Sequence, residues 1–441
     1  MAGEWAEATV AEIAATSRNA LVGGPFGSNL VSSDYVDQGV PVIRGQNMGS
    51  RWLSGQFAYV TPAKAKSLEA NLARAGDILF TQRGTLGQVA LVPETPFDSY
   101  LVSQSQMKLT VDRDMADPLF YYYVFQSQAQ QEYVRQHAIQ TGVPHTNLGI
   151  LRDTSVPLPP LPEQRAIAHI LGALDDKIEL NRRMNETLEA MARALFKSWF
   201  VDFDPVRAKA DGRDPGLPQN IADLFPDRFE DSELGEIPAG WHAMPLSAAV
   251  EVNPTRLLRR GERAPYLDMA NMPTRGHSPG LVIERPFSSG IRFMNGDTLV
   301  ARITPCLENG KTAYVSFLKD GQVGWGSTEY IVLRPKAPLP LEFAYCLARS
   351  GEFREFAIQS MTGTSGRQRV PADSLSHFLV ASPPTRMAEP FGSIVRPLFA
   401  RARAAAEENR TLAALRDALL PKLISGEIRV KDTEQVVEEV V

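Results

Sequence analysis

The sequence predicts an α+β protein made of two duplicated α/β domains, separated by two long helices that pair as an antiparallel coiled coil. Three observations carry this prediction. The chain of 441 residues repeats itself at an offset of 220 to 224 positions, as Gly76-Asp77 and Gly296-Asp297 show. Two segments have apolar residues at heptad spacing. Each copy mixes short β-type runs, several bounded by Gly or Pro, with amphipathic helical runs.

The first copy, residues 1–157, and the second, residues 241–382, each place their helical run after most of their strand-like runs. The spacing predicts helices over 118–138 and 340–359. The predicted strands cover 41–44, 77–80 and 88–92 in the first copy, and 298–302, 312–317 and 329–333 in the second.

Residues 158–200 predict the first long helix, which begins at Pro162 and Glu163 because both residues suit a first helical turn. A heptad seam runs along it for more than four heptads. The predicted seam residues are Ile167, Leu171, Leu174, Ile178, Asn185, Leu188 and Leu195.

Residues 383–426 predict the second long helix, in the same register once 224 is added to each position. Its seam residues are Val395, Leu398, Asn409, Leu412 and Leu419. Pro397 predicts a kink or a late start near residue 398. Asn185 and Asn409 either fix the register of the pair or lie at a solvated edge. A helix of about 37 residues spans roughly 55 Å.

Residues 201–240 predict a connector, and residues 427–441 a tail. The connector is rich in Pro, Gly and Asp and carries 4 basic and 10 acidic side chains. The first copy carries 11 basic and 14 acidic side chains, and the second 16 and 12. The net charge of −5 therefore reflects mainly the connector, and it does not exclude binding to nucleic acid.

The chain shows no convincing catalytic or metal-binding motif, and we expect neither a cofactor nor a metal. Cys306 and Cys346 do not form a ligand pattern, and they are typical of a reducing compartment. No apolar run is long enough to span a membrane, and no secretory signal is visible. We therefore expect a cytoplasmic protein.

The stretch from Pro157 to Lys209, with its LPPLPEQ opening and WFVDFDP end, resembles the central repeat of the specificity subunit (HsdS) of type I restriction-modification enzymes. The GEIPAGW sequence before the second copy and the LLPKLISGEI near the end are also similar to that family. The resemblance covers essentially the whole chain, whereas the two globular copies match only in outline.

The resemblance implies two target-recognition domains, each reading half of a split, asymmetric site in double-stranded DNA, with a spacer set by the helices. It implies that catalysis belongs to partners: two modification subunits that methylate adenine with S-adenosylmethionine, and a restriction subunit that translocates and cleaves DNA. The competing hypothesis is a coiled-coil scaffold for protein assembly without DNA contact, favoured by the net −3 of the first copy. A stand-alone methyltransferase ranks third.

Base reading requires polar side chains on loops that can enter a groove. In the first copy the candidates are Arg44, Gln46, Asn47, Gln104, Ser105, Gln106, Thr141, His145 and Asn147. In the second they are Asn271, Arg275, His277, Arg302, Thr364, Ser365, Arg367, Gln368 and Arg369. Each candidate has the alternative of being an ordinary solvated loop residue.

An aromatic cluster ends the first long helix: Phe196, Trp199, Phe200 and Phe203. The sequence leaves two interpretations open. The cluster is either a docking edge for a modification subunit or part of a core packed against the connector.

Overall fold

The computed structural model describes residues 5–139, 144–364 and 366–430. Its contacts divide the chain into two units, residues 1–178 with 410–441, and residues 179–409. Each unit therefore combines one predicted copy with one part of each long helix.

The described residues of the first unit form three sheets. Strands β1 and β11 pair with each other, β2, β10, β7 and β8 form a second sheet, and β3, β5, β4, β9 and β6 form a third, in those orders. The strands are β1 (Ala6–Thr9), β2 (Leu21–Gly23), β3 (Tyr35–Val36), β4 (Val40–Ile43), β5 (Ala58–Val60), β6 (Leu72–Ala73), β7 (Ile78–Thr81), β8 (Val89–Leu91), β9 (Tyr100–Val102), β10 (Gln106–Leu109) and β11 (Ser155–Leu158). The helices are α1 (Val10–Ile13), α2 (Pro62–Ser67), α3 (Pro118–Gln126), α4 (Gln128–His137), α5 (Leu148–Arg152) and the long α6 (Leu161–Phe200).

The second unit repeats this topology, except that its described residues contain no counterpart of β3. Strands β14 and β23 pair, β15, β22, β19 and β20 form a four-stranded sheet, and β17, β16, β21 and β18 form another. Its elements are α7 (Asp204–Ala210), α8 (Gln219–Ala222), β12 (Phe229–Ser232), β13 (Gly235–Pro238), β14 (His242–Pro245), α9 (Leu246–Ala249), β15 (Val250–Val252), β16 (Arg263–Leu267), β17 (Val282–Pro286), β18 (Ile291–Phe293), β19 (Thr298–Ala301), β20 (Thr312–Tyr314), β21 (Gly324–Gly326), β22 (Tyr330–Pro335), α10 (Glu342–Ala348), α11 (Gly351–Gln359), α12 (Ala372–Ser376), β23 (Leu379–Ser382) and the long α13 (Ala388–Ser425).

The duplication extends to strand direction. Within each unit one parallel pair joins strands of an otherwise antiparallel sheet, β4 with β9 in the first unit and β16 with β21 in the second. The other strand pairs in these two sheets are antiparallel. The predicted fold class and its internal repeat are therefore confirmed.

In each unit, the repeated Gly-Asp pair forms the turn that starts a central strand of one four-stranded sheet. Gly76 and Gly296 have φ of 83° and 86°, a conformation that glycine adopts without strain. Asp77 accepts a hydrogen bond from the backbone of Arg74 at 2.8 Å, and Asp297 accepts one from Met294 at 2.8 Å. The strands that follow, β7 and β19, are buried along their whole length.

Each predicted late helix is divided in two at a serine. Ser127 caps α4 by accepting from the Gln130 N–H, and Ser350 caps α11 by accepting from the Phe353 N–H at 3.3 Å. Serine favours such a cap because its hydroxyl satisfies an N–H group that has no partner within the helix. The periodicity located these helical regions, but it did not reveal the break.

The two long helices pack against each other within both units, and they run antiparallel. In the first unit, Arg416 of α13 donates to Asp175 of α6 at 2.7 Å. In the second unit, Asn181 of α6 donates to Glu408 and Asn409 of α13 at 2.9 and 3.0 Å. Residue numbers thus rise along one helix as they fall along the other.

Most predicted seam residues are buried or half-buried between elements of their unit. In the first unit they are Ile167, Leu171, Leu174, Ile178, Leu412 and Leu419, and in the second Leu195, Val395 and Leu398. Leu188 and both asparagines are half-buried. Asn409 pairs with Asn181 rather than with Asn185, whose Oδ1 is buried without a hydrogen-bond partner among the described residues.

Two local expectations differ from the structure. Helix α13 begins at Ala388 and runs through Pro397, so it has no late start near 398. Residues 201–240, predicted as a connector, contain α7, α8 and the β12–β13 hairpin. Phe225 and Ile237 of this segment are buried in the core of the second unit.

The aromatic cluster belongs to that same core. Phe196, Trp199, Phe200 and Phe203 are each at most 7% exposed. Phe200 packs against Trp241 at a ring-centroid distance of 6.0 Å. Of the two interpretations left open by the sequence, core packing is the one that the structure supports.

Candidate nucleic-acid interface

Three loops of the first unit meet at one end of the central strands β7 and β10 of its four-stranded sheet. They follow β7, precede β10 and precede α5. The N–H groups of Gln82 and Arg83 donate to the Ser105 carbonyl at 2.7 and 3.2 Å. The Thr146 N–H donates to the Gln82 carbonyl at 2.9 Å. These bonds bring together polar segments that are far apart in the sequence.

Three loops of the second unit meet in the same way. The Arg302 N–H donates to the Glu329 carbonyl at 3.0 Å, and the Val370 N–H donates to the Arg302 carbonyl at 2.9 Å. The Thr304 N–H donates to the Gln368 carbonyl at 3.0 Å. We call this group of loops, residues 302–304, 327–329 and 366–370, the second loop cluster, and residues 82–84, 103–105 and 144–147 the first loop cluster.

The two clusters occupy equivalent positions of the repeat. Gln82 and Arg302 are 220 residues apart, and Ser105 and Glu329 are 224 apart. A backbone bridge joins Arg83 to His145 in the first unit and Ile303 to Arg369 in the second. The same architecture therefore presents different side chains in the two units.

In the first cluster, several predicted base readers also hold the loops together. Gln104 is exposed, and its Nε2 donates to the carbonyls of Gly27 and Leu30 at 2.5 and 3.1 Å. Asn147 accepts from the Ile150 N–H at 2.9 Å and thereby caps α5. His145 is half-buried, and its backbone pairs with that of Ile139. Gln106 is buried and Ser105 half-buried, and Thr141 lies outside the described residues.

A separate loop carries Arg44, Gln46 and Asn47. Asn47 is fully buried, and its Nδ2 donates to the carbonyls of Ser54 and Gln56 at 3.0 and 2.9 Å. Its side chain therefore closes this loop and does not reach a groove in this structure. Gln46 is exposed, although its Nε2 also donates to the Gln56 carbonyl at 3.1 Å, and Arg44 is half-buried.

In the second cluster, the two predicted arginines differ in their surroundings. Arg369 forms a bidentate ion pair with Glu329, with N···O distances of 2.8 to 3.0 Å. Arg367 is exposed, and its side chain makes no hydrogen bond or ion pair with the described residues. Thr364 is exposed, Gln368 is half-buried, and Ser365 lies outside the described residues. Arg302 is half-buried, with its Nε 4.0 Å from a Glu329 oxygen.

The loop that carries Asn271, Arg275 and His277 does not belong to the second loop cluster. Asn271 accepts from the Leu281 N–H at 3.0 Å and so closes its own loop. His277 is 1% exposed, and burial, together with the nearby Arg349, lowers its pKa to about 4. Arg275 is exposed on the same loop.

Sequence reasoning missed one residue of the first cluster. Arg83 is exposed and directly follows Gln82, the repeat equivalent of Arg302. The Gly-Asp alignment at an offset of 220 could have pointed to Arg83. It places Gln82 and the candidate Arg302 one position past equivalent strands, and Arg83 is the next residue. Arg83 therefore joins the candidate DNA contacts.

The described residues contain no group of three or more His, Cys, Asp or Glu side chains arranged to hold a metal ion. Within that same part of the chain, no helix is both long and apolar enough to cross a bilayer.

These features define a class: a duplicated mixed α/β protein that presents polar loops at equivalent positions and shares two paired long helices between its units. Known proteins of this class are similar to the chain. Residues 29–190 match the family model described as the type I restriction modification DNA specificity domain.

Two relatives match over most of their length. The type I restriction enzyme MjaIX specificity subunit of Methanocaldococcus jannaschii is 26% identical over 391 residues, covering 85% of this chain and 82% of that protein. The type I restriction enzyme HindI specificity subunit of Haemophilus influenzae is 25% identical over 435 residues, covering 85% and 92%. The crystal structure of the type I restriction-modification S subunit from M. genitalium has the same fold, with a TM-score of 0.56 and 16% identity over 95% of this chain and 96% of that one.

The resemblance to specificity subunits of type I restriction-modification enzymes that the sequence predicted is confirmed by these matches.

Proposed function

We propose that the chain is the DNA sequence-recognition subunit of a type I restriction-modification complex, and that each unit reads one half of a split, asymmetric site. The observation that carries the proposal is the occurrence of two loop clusters at equivalent positions of a duplicated domain. Equivalent loops with different side chains suit two half-sites of different sequence. The scaffold hypothesis explains neither this difference nor the similarity of the chain to specificity subunits of type I restriction enzymes.

The proposal assigns a role to each segment. Residues 1–157 and 241–382 are the two target-recognition domains, and residues 158–200 and 383–426 are the paired helices that set the spacing between half-sites. Residues 201–240 join the first helix to the second domain, and residues 427–441 are the tail. The repeat offsets support these boundaries.

The proposal leaves catalysis to partner subunits. We assign adenine methylation to two modification subunits, and DNA translocation and cleavage to a restriction subunit, all acting in the cytoplasm. The names of the relatives support this division, since both are specificity subunits of restriction enzymes. The net −3 of the first domain further suggests that the partners supply much of the positive surface needed for phosphate binding.

Arg367 provides the first test of DNA contact. It is exposed beside the ion-paired Arg369, so its removal changes the surface without breaking an internal contact. In the complex with its modification subunits, Arg367→Ala should weaken binding to the cognate duplex about tenfold or more. Arg401→Ala, an exposed arginine on α13, is the matched control.

Fluorescence anisotropy with cognate duplex and with duplexes scrambled in one half-site measures this effect. A loss confined to the cognate duplex identifies base reading, and an equal loss on all duplexes identifies a phosphate contact. Unchanged affinity everywhere would remove Arg367 from the interface. A wild-type complex that does not distinguish cognate from scrambled DNA would contradict the proposed function and favour the scaffold.

A further inference from the structure

A buried arginine at the end of α10 holds the backbone of two loops in the second unit. The Arg349 guanidinium donates to the carbonyls of Thr274 and Gly310, both at 2.9 Å, and to that of Thr312 at 3.0 Å. It also donates to the Gly276 carbonyl. Its side chain is only 8% exposed. Because the guanidinium presents five donors in a rigid fork, it can fix several carbonyls at once.

The loop that Arg349 holds carries a candidate DNA contact. Arg275 lies between Thr274 and Gly276, whose carbonyls both accept from Arg349. Arg275 itself is exposed. The hydroxyl of Tyr345 also donates to the Gly276 carbonyl, at 3.0 Å. The inner side of the loop is therefore fixed, and the side chain of Arg275 faces outward.

Arg349 also links this loop to the long helix α6. Its Nε lies 4.0 Å from Oε1 of Glu189, a residue of α6 that is 6% exposed. Burial raises the pKa of the Glu189 carboxyl, and the nearby Arg349 opposes this shift. Arg193, one turn further along α6, donates to the Arg349 carbonyl at 3.2 Å. The loop, the end of α10 and the helix thus form one polar network.

The first unit achieves the same connection with a different residue. Arg51 lies on the loop that carries Gln46, and its Nη1 donates to the Gly172 carbonyl of α6 at 3.3 Å. It also pairs with Asp176 of α6, and its side chain is 10% exposed. Arg51 is the repeat equivalent of Arg275, which is exposed and not an anchor. Non-equivalent arginines therefore tie the corresponding loops of both units to α6.

We propose that Arg349 is a positioning residue for DNA recognition: it fixes the loop that carries Arg275, so that the base preference of the second unit depends on it, and Arg51 does the same for the first unit. The inference rests on the proposed function. It predicts that each arginine controls a different half of the recognised site.

Methylation mapping of a host genome tests this inference in the intact complex. The wild-type chain, Arg349→Lys, Arg51→Lys and the exposed control Arg401→Lys are each expressed with their modification subunits. Lysine keeps the charge but loses the planar fork. Arg349→Lys should lower discrimination against mismatches in one half-site roughly tenfold. Arg51→Lys should do so in the other half-site, and Arg401→Lys in neither.

The outcomes separate the inference from the function on which it rests. A wild-type complex without a sequence-specific methylation pattern contradicts the proposed function itself. If the wild-type pattern is sequence-specific, the inference is contradicted when Arg349→Lys leaves base discrimination unchanged in both half-sites or lowers it equally in both. A merely structural role would lower the amount of active complex without changing base preference in one half-site. If Arg349→Lys does not fold, Tyr345→Phe replaces it, since it removes the hydroxyl that donates to the Gly276 carbonyl and accepts from the Arg349 Nε. A wild-type pattern with Tyr345→Phe then overturns the inference.

Discussion

At the residue scale, the Asp297 side chain of the repeated Gly-Asp turn forms a buried ionic network in the second unit. It is fully buried, and it accepts from Arg334 at 2.6 Å and from Arg256 at 3.1 Å. The charges of two partly buried arginines are thus compensated by one carboxylate. Removing one partner of such a network costs more than the network contributes, since the remaining charges lose their compensation.

We predict that Asp297→Asn lowers the free energy of unfolding of the second unit by about 3 kcal/mol or more. Chemical denaturation followed by tryptophan fluorescence measures this change. Asp320→Asn, at an exposed position of the same unit, should stay within about 0.5 kcal/mol of the wild type. Equal effects from both substitutions would show that the Asp297 network does not stabilise the fold.

His277 predicts a pH dependence of stability. Its folded pKa of about 4 lies below the ordinary value of 6.5, because burial disfavours the charged ring. The neutral ring therefore stabilises the fold fully above pH 6.5, and this contribution is lost as the pH falls towards 4, by roughly 3 kcal/mol in total.

Unfolding experiments between pH 7 and 4 on His277→Gln should show a shallower loss of stability than the wild type. His242→Gln changes an exposed histidine and should keep the wild-type slope. Identical slopes for His277→Gln and the wild type would mean that His277 is not buried in its neutral form.

The predicted reading residues show what sequence alone can give at this scale. Residue type predicted polar loops, and Gln104 and Arg367 are both exposed where loops meet. Residue type could not show that the side-chain amide of Asn47 already donates hydrogen bonds to two backbone carbonyls. Nor could it show that Glu329 pairs with Arg369 but not with Arg367, since that depends on a contact across 40 residues.

At the element scale, the heptad pattern predicted both long helices and their antiparallel pairing, because apolar periodicity is strong over such lengths. The apolar pattern could not show which polar side chains of the two helices form hydrogen bonds with each other. If the repeat were symmetric, the Asn181–Asn409 contact would be matched by one between Asn185 and Ala405. Alanine cannot form a hydrogen bond through its side chain, and the Oδ1 of Asn185 has no partner among the described residues.

Asn181 and Asn185 should therefore respond oppositely to the same change. Asn181→Leu removes two hydrogen bonds and should destabilise the fold by about 1 to 3 kcal/mol. Asn185→Leu removes an unpaired buried oxygen and should stabilise the fold by about 1 kcal/mol. Thermal and chemical unfolding of both variants measure this difference. Destabilisation of equal size in both would contradict the assignment of the polar contact.

The composition of residues 201–240 predicted a connector, whereas the structure shows a folded segment, and the difference has a physical reason. Its Pro, Gly and Asp residues are typical of loops, but Phe225 and Ile237 fill the core that Phe196 and Trp199 begin. Lys209 also donates to the Phe225 carbonyl at 2.6 Å, which ties the segment together. A few well-placed apolar residues were enough to fold a segment of polar composition.

At the scale of the whole molecule, duplication is the property that the sequence predicted best. Local offsets between 220 and 224 residues were sufficient to align strands, turns and helices. The divergence lies in the side chains of the two loop clusters, where Ser105 stands in one unit and Glu329 in the other. A protein that keeps one topology twice while changing its polar loops is suited to recognise two different sequences.

The most direct test of this account is the methylation pattern that the wild-type chain directs with its modification subunits. Single-molecule sequencing of a host genome carrying the intact system reads this pattern. We expect methylated adenines in a split motif, with two different defined halves separated by a fixed number of unspecified bases. A continuous motif, or methylation without sequence preference, would contradict it.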